Sequence, residues 1–124
     1  MFTVASAVLP PHPGSVSAAR QLVQDVSHHL PRRAQEAAEL VTSELATNSV
    51  IHAGTAFEVF AAADDEGVEV VVSDHAAWSP TPRAEGTGHG LLLVGLLASE
   101  WTAQLEGRGK RVWARVAVDD VPAW

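Results

Sequence analysis

Apolar positions change their spacing along this chain, and the changes mark out its elements. Residues 2–9 are β-compatible and end at Pro10, Pro11 and Pro13, which cannot continue a hydrogen-bonded ladder. Ala19, Leu22, Val23, Val26 and Leu30 then recur at helical spacing, with Ser15 placed to cap the helix and Pro31 to stop it. A second helix is expected over about residues 33–52, closed by Gly54. The period drops to two at Phe57, Val59 and Ala61, and again at Val68, Val70 and Val72. With a turn at residues 64–67 between them, these two runs predict a hairpin that ends at Asp74. Residues 75–90 carry prolines and glycines and no period, which predicts a long loop of the kind that is usually functional in a small domain. Residues 91–98 predict a short, almost wholly apolar helix. Residues 100–105 and 111–118, joined through Gly107-Arg108-Gly109, predict a second hairpin.

The order βααββ, loop, αββ describes helices packed on one face of a mainly antiparallel sheet, an α+β two-layer fold in one domain of 124 residues. Composition narrows the function classes. With 47% hydrophobic and 19% charged residues, disorder does not describe the chain. Eight basic residues against fifteen acidic ones give a net charge of −7. That argues against a nonspecific nucleic-acid binder or a polybasic membrane-surface protein and leaves room for a partner with a basic face. The absence of cysteine excludes disulfides, thiolate metal sites and cysteine nucleophiles. Neither a signal-peptide pattern nor an apolar run near the roughly 20 residues of a membrane-spanning helix is read, so a cytoplasmic protein is expected.

One helix carries a contradiction. Winding residues 36–53 at about 100° per residue places Ala37, Ala38, Leu40, Val41, Leu45 and Ile51 in one broad arc, the expected core face, with Glu39, Thr42, Ser43 and Ala46 outside it. Glu44 and Asn48 fall near the middle of that arc, one turn apart. A carboxylate buried there without a partner costs several kcal/mol or must change its pKa. Two resolutions are open. Glu44 pairs with a basic residue such as Arg83 or Lys110 while Asn48 caps a loop carbonyl, or the two line a cleft in which Glu44 is a base and Asn48 holds a cation.

The loop adds two further elements. Gly86, Gly88 and Gly90 alternate directly before an apolar helix, which lets backbone N–H groups approach an anion near a helix N-terminus. No Gly-Lys-Ser/Thr follows, so this is not a Walker loop, and Leu91 stands where a dinucleotide fingerprint would end in glycine. Asp74 ends a strand at the mouth of the loop. His28-His29 reads as a solvated helix end. His75 and His89 show no zinc spacing, and Trp101 and Trp113 read as core or sheet-face residues.

In this order the elements resemble the histidine-kinase-like ATPases, also called GHKL or Bergerat-fold proteins, and most of all their anti-sigma-factor serine/threonine kinase branch and its stand-alone bacterial relatives. Ser43-Glu-Leu-Ala-Thr-Asn48, continuing to His52-Ala53, is similar to the family's N box. Val71-Val-Ser-Asp74 is similar to the G1 box and Gly86-Thr-Gly-His-Gly-Leu-Leu-Leu-Val94 to the G2 box. Gly109-Lys-Arg-Val-Trp-Ala114 is similar to the closing strand. The resemblance covers nearly the whole chain and implies a two-layer α/β sandwich with a mixed, mainly antiparallel sheet and about three helices on one face. It implies ATP and Mg²⁺ as cofactors. Glu44 would be the general base, Asn48 the Mg²⁺ ligand, and Asp74 the acceptor for the adenine amino group. Gly86, Thr87, Gly88, His89, Gly90 and Leu91 would hold the phosphates beneath a lid spanning residues 75–90, to which Arg83 could add a γ-phosphate contact. A sigma factor and an anti-anti-sigma protein are the implied partners, and family members commonly dimerise. Three positions depart from the family pattern: Ala76 and Trp78 stand where glycine is common, and Arg111 where threonine is frequent.

Overall fold

A computed structural model describes residues 2–75, 89–107 and 109–121. The elements follow the order expected from the sequence: β1 (Thr3–Leu9), α1 (Gly14–Ser27), α2 (Arg32–Asn48), β2 (Phe57–Ala63), β3 (Gly67–Asp74), α3 (His89–Leu97), β4 (Glu100–Glu106) and β5 (Gly109–Ala117). The five strands form one sheet in the order β1-β2-β3-β5-β4. Each of its four ladders is antiparallel. α1 lies over β1 and β2, α2 over β3 and β5, and α3 beside α2 and next to β4. This is the α+β two-layer arrangement.

The alternation that predicts the strands also sets which face the helices cover. Val68, Val70, Val72 and Asp74 of β3 point under the helices, as do Lys110, Val112, Ala114 and Val116 of β5. They meet Val23 and Val26 of α1, Val41 and Leu45 of α2, and Val94 of α3 in one core. Each wholly buried valine contributes about 1.5–3 kcal/mol of transfer free energy. Alanines at 34, 37, 38 and 46 keep the inner side of α2 slim. Among the described residues no helix covers the other sheet face, which carries exposed Val4, Val8 and Phe60.

Local chemistry explains the ends. Ser15 does not cap α1; it lies inside the helix and its Oγ donates to the Pro10 carbonyl at 2.7 Å, while the Gly14 N–H finds His12 Nδ1 at 2.9 Å. A histidine ring reaching forward two residues thus takes the orphan donor. In the β2–β3 turn, Asp64 Oδ1 accepts from the N–H groups of Glu66 at 2.8 Å and Gly67 at 3.0 Å. The Glu66 amide holds the Asp64 carboxyl below its ordinary value, opposed by desolvation and aided by the Gly67 amide. α2 runs on into a π-type turn, Ser49–Ala53, and stops at Gly54 with φ +64°, the left-handed conformation that glycine adopts without steric penalty.

Candidate functional site

The buried stripe of α2 is rotated from the one its sequence predicts. Thr42 and Ala46, expected outside, are fully buried, while Leu40 and Ile51, expected inside, are 42% and 55% exposed. Two physical reasons account for this. The Thr42 hydroxyl donates to the Ala38 carbonyl at 2.7 Å, so its burial leaves no polar atom unsatisfied. The turn from Ser49 onward has π geometry, so a regular wheel misplaces Ile51. Glu44 and Asn48 therefore sit on the flank of the stripe, half-buried, one turn apart. The apparent contradiction of a carboxylate in the core is resolved: Glu44 stands at its rim.

The π-type turn places the next residue. Ser49 is fully buried, and its Oγ donates to Asp74 Oδ2 at 2.9 Å. The residue immediately after Asn48 thus ties the end of α2 to the end of β3. Asp74 has a second partner across the sheet. Its register partner on β5 is Lys110, whose Nζ lies 3.6 Å from the same Oδ2. The Asp74 side chain has no solvent exposure and that of Lys110 keeps 7%. Gly109 makes this close approach feasible: a Cβ there would run into the Asp74 carbonyl oxygen.

Ser49 thus brings the Asn48 end of α2 to Asp74, with Glu44 one turn earlier on the helix. Gly86, Thr87 and Gly88, with Ala76, Trp78, Arg83 and most of the expected lid, lie outside the described residues. His89, Gly90 and Leu91 open α3, which packs against α2. Lys110 is not the partner of Glu44; it belongs to Asp74. Arg111, the sequence departure, is exposed and on the other side of β5. Lys110 is the closing-strand residue that faces Asp74. Strict alternation with Val112, Ala114 and Val116 is the sequence signal that identifies it. Ser49, a small polar residue late in a helix, carries no comparable signal.

A hollow of about 360 Å³ at the same strand ends is walled in part by Asp74, His75, Lys110 and Arg111. A larger one of about 530 Å³ lies between α1 and α2, away from Glu44 and Asp74. Its polar groups satisfy one another: Gln24 Nε2 donates to Glu39 Oε1 at 2.7 Å and Arg32 Nε to Glu36 Oε1 at 2.9 Å. That is the character of a solvated helix seam. His28 and His29 bond carbonyls of Asp25 and Asp64, and no cluster of three metal-ligating side chains occurs among the described residues.

Asn48 supplies the kind of ligand Mg²⁺ takes, a hard carboxamide oxygen, and makes no side-chain hydrogen bond with the described residues. One carboxamide is a ligand that Mg²⁺ can take where phosphates and waters complete its shell. At the other end the fit is altered, because the carboxylate that could read an amino group already holds an ammonium.

Comparison with known proteins agrees with this fold. The family model for the histidine kinase-like ATPase domain matches residues 9–116. No curated protein matches. Among solved structures, the Acinetobacter baumannii histidine kinase AdeS matches with a TM-score of 0.52 at 8% identity. The alignment covers 95% of this chain and 70% of that one, a likeness of fold. Among the described residues no helix is long and apolar enough to cross a membrane.

Proposed function

Since the chain belongs to the histidine kinase-like ATPase family, we propose that it binds Mg-ATP and acts as an anti-sigma-factor-type serine/threonine kinase, controlling transcription through a protein partner. The observation that carries this reading is the flank of α2. Glu44 and Asn48 stand one turn apart at the rim of the core, directly before the turn that fastens α2 to Asp74. One side chain can face a metal while its neighbour faces a nucleophile.

Bound Mg-ATP supplies the phosphoryl group and the positive charge that offsets its transfer. The chain's own part is positional and protolytic. Asn48 directs its carboxamide oxygen to the cation. A Glu44 oxygen takes the proton from the attacking hydroxyl of a serine or threonine as its oxygen bonds phosphorus and the bond to ADP breaks. α3, the apolar helix that follows the glycine-rich run, packs on α2. The net charge of −7 favours a partner with a basic face such as a sigma factor.

A second reading has its own support. The Lys110 ammonium on Asp74 weakens the base end of the pocket, which suits a docking module that regulates partners without transferring phosphate. Calorimetry with Mg-ATP comes first. Wild type is expected to bind, Asn48→Ala to bind at least about tenfold more weakly, and Glu44→Ala to bind nearly as well as wild type. No binding by wild type at millimolar nucleotide would remove the kinase reading. Given binding, labelled ATP incubated with purified sigma-factor and anti-anti-sigma candidates separates kinase from docking module.

A further inference from the structure

The two edges of the sheet, β1 and β4, are built differently. An edge strand offers a row of N–H and C=O groups to any passing strand, and charges, prolines or bulges usually blunt it. β4 begins and ends on glutamate, in the run EWTAQLE. β1 reads TVASAVL, with no charge, proline or glycine, and pairs with β2 in unbroken register. None of its residues is buried, and Val4 and Val8 are 59% and 70% exposed. Val4, Ser6 and Val8 share the open face of the sheet, where Ser6 stands opposite Phe60.

This edge is also symmetric, since Val4-Ala5-Ser6-Ala7-Val8 reads the same in both directions. We propose that β1 is a dimerisation edge. A second copy of the chain lays its own β1 antiparallel against it about a two-fold axis at Ser6, making one continuous sheet. Ser6 then faces Ser6, Ala5 faces Ala7, and Val4 of each copy covers Val8 of the other. Two valine pairs on the open face hold this register, because opposed β-branched side chains are favourable cross-strand partners. The operation brings no charge against a like charge, which matters in a chain of net charge −7. Applied to β4, it would set glutamate against glutamate, a destabilising arrangement. A self-matching strand on one edge and a self-repelling one on the other favour a closed dimer over a filament. A single strand pair is small for a specific interface, so a dissociation constant in the micromolar range is expected.

Sedimentation of the whole chain gives the oligomeric state, and wild type is expected to pass from monomer to dimer with concentration. Ser6→Lys, at an exposed position, sets lysine against lysine at the axis and is expected to weaken the dimer at least about tenfold. The chain has no cysteine, so single cysteines report the register. Directly opposed residues have Cα atoms about 4.5–5.5 Å apart, within disulfide reach. Ser6→Cys is therefore expected to form a covalent dimer on mild oxidation. Val4→Cys alone and Val8→Cys alone are expected not to, being displaced by about 13 Å along the strand from their own copies. Mixed together, those two are expected to link. A wild type that stays monomeric at near-millimolar concentration overturns the proposal. So does a dimer untouched by a folded Ser6→Lys, or one in which Val4→Cys links to itself as readily as Ser6→Cys; either would place the interface elsewhere. Should Ser6→Lys not fold, the cysteine series decides alone.

Discussion

Glu44→Gln is expected to lower the rate of phosphoryl transfer by about 10²–10⁴ while leaving Mg-nucleotide affinity nearly unchanged. Glutamine keeps the size of the side chain but is neutral, cannot take up a proton, and has an NH₂ donor in place of one acceptor oxygen. The position on the rim of the core makes the substitution clean. Glu44 is half-buried and has no ion-pair partner among the described residues, so stability is expected to move by no more than about 0.5 kcal/mol. Turnover of γ-labelled ATP, read beside calorimetric affinity, separates the effects. A variant that turns over at the wild-type rate would take Glu44 out of the role of base. One that loses affinity in step with rate would make it a binding residue instead.

The second large effect is on stability. Asp74→Ala leaves the Lys110 ammonium buried without an anion and Ser49 without its acceptor. Removing one member of a buried pair costs about 3–5 kcal/mol. Against the 5–15 kcal/mol typical of a whole domain, that is about a fifth of the stability or more. Urea unfolding gives the number directly. The double change Asp74→Leu with Lys110→Met replaces both charges by apolar groups and is expected to recover most of the loss. If Asp74→Ala costs less than about 1 kcal/mol, the ammonium reaches water once its partner is gone. The pair would then not be the internal cross-brace described here.

Much of this was legible in the residues, for a simple reason. Period-two runs such as Val68, Val70, Val72 have one stable arrangement, so both hairpins and their inward faces follow from the pattern. The bond from Ser49, the residue after Asn48, to Asp74 at the end of β3 is a contact that the sequence did not announce. The phase of α2 was not legible. Leu40 and Ile51 pull a helical wheel toward themselves, while Thr42 hides its hydroxyl inside the helix and takes an inward place that polarity scales deny it. The π-type turn shifts phase without a sequence mark. Arg111 drew attention as a departure from the family pattern, yet its neighbour Lys110 is the residue aimed at Asp74, and parity along β5 distinguishes them. Local pattern fixes which face a residue occupies in a strand. Which partner it finds there depends on the opposing register.

The place of β1 at the sheet edge bears on how the molecule assembles and opens. Its ladder joins Thr3 to Ala63 and Leu9 to Phe57, so the first strand must wait for two helices and β2 before it has a partner. The β2–β3 hairpin needs only the short turn held by Asp64. Closing a long loop costs more chain entropy than closing a short one. β1 is therefore expected to zip on last and to peel away first, while β3 and β5 at the centre hold on. In native-state hydrogen exchange its amides would lose protection ahead of those of β3, by sub-global opening. Equal protection across the two strands would show instead that the sheet opens as one unit.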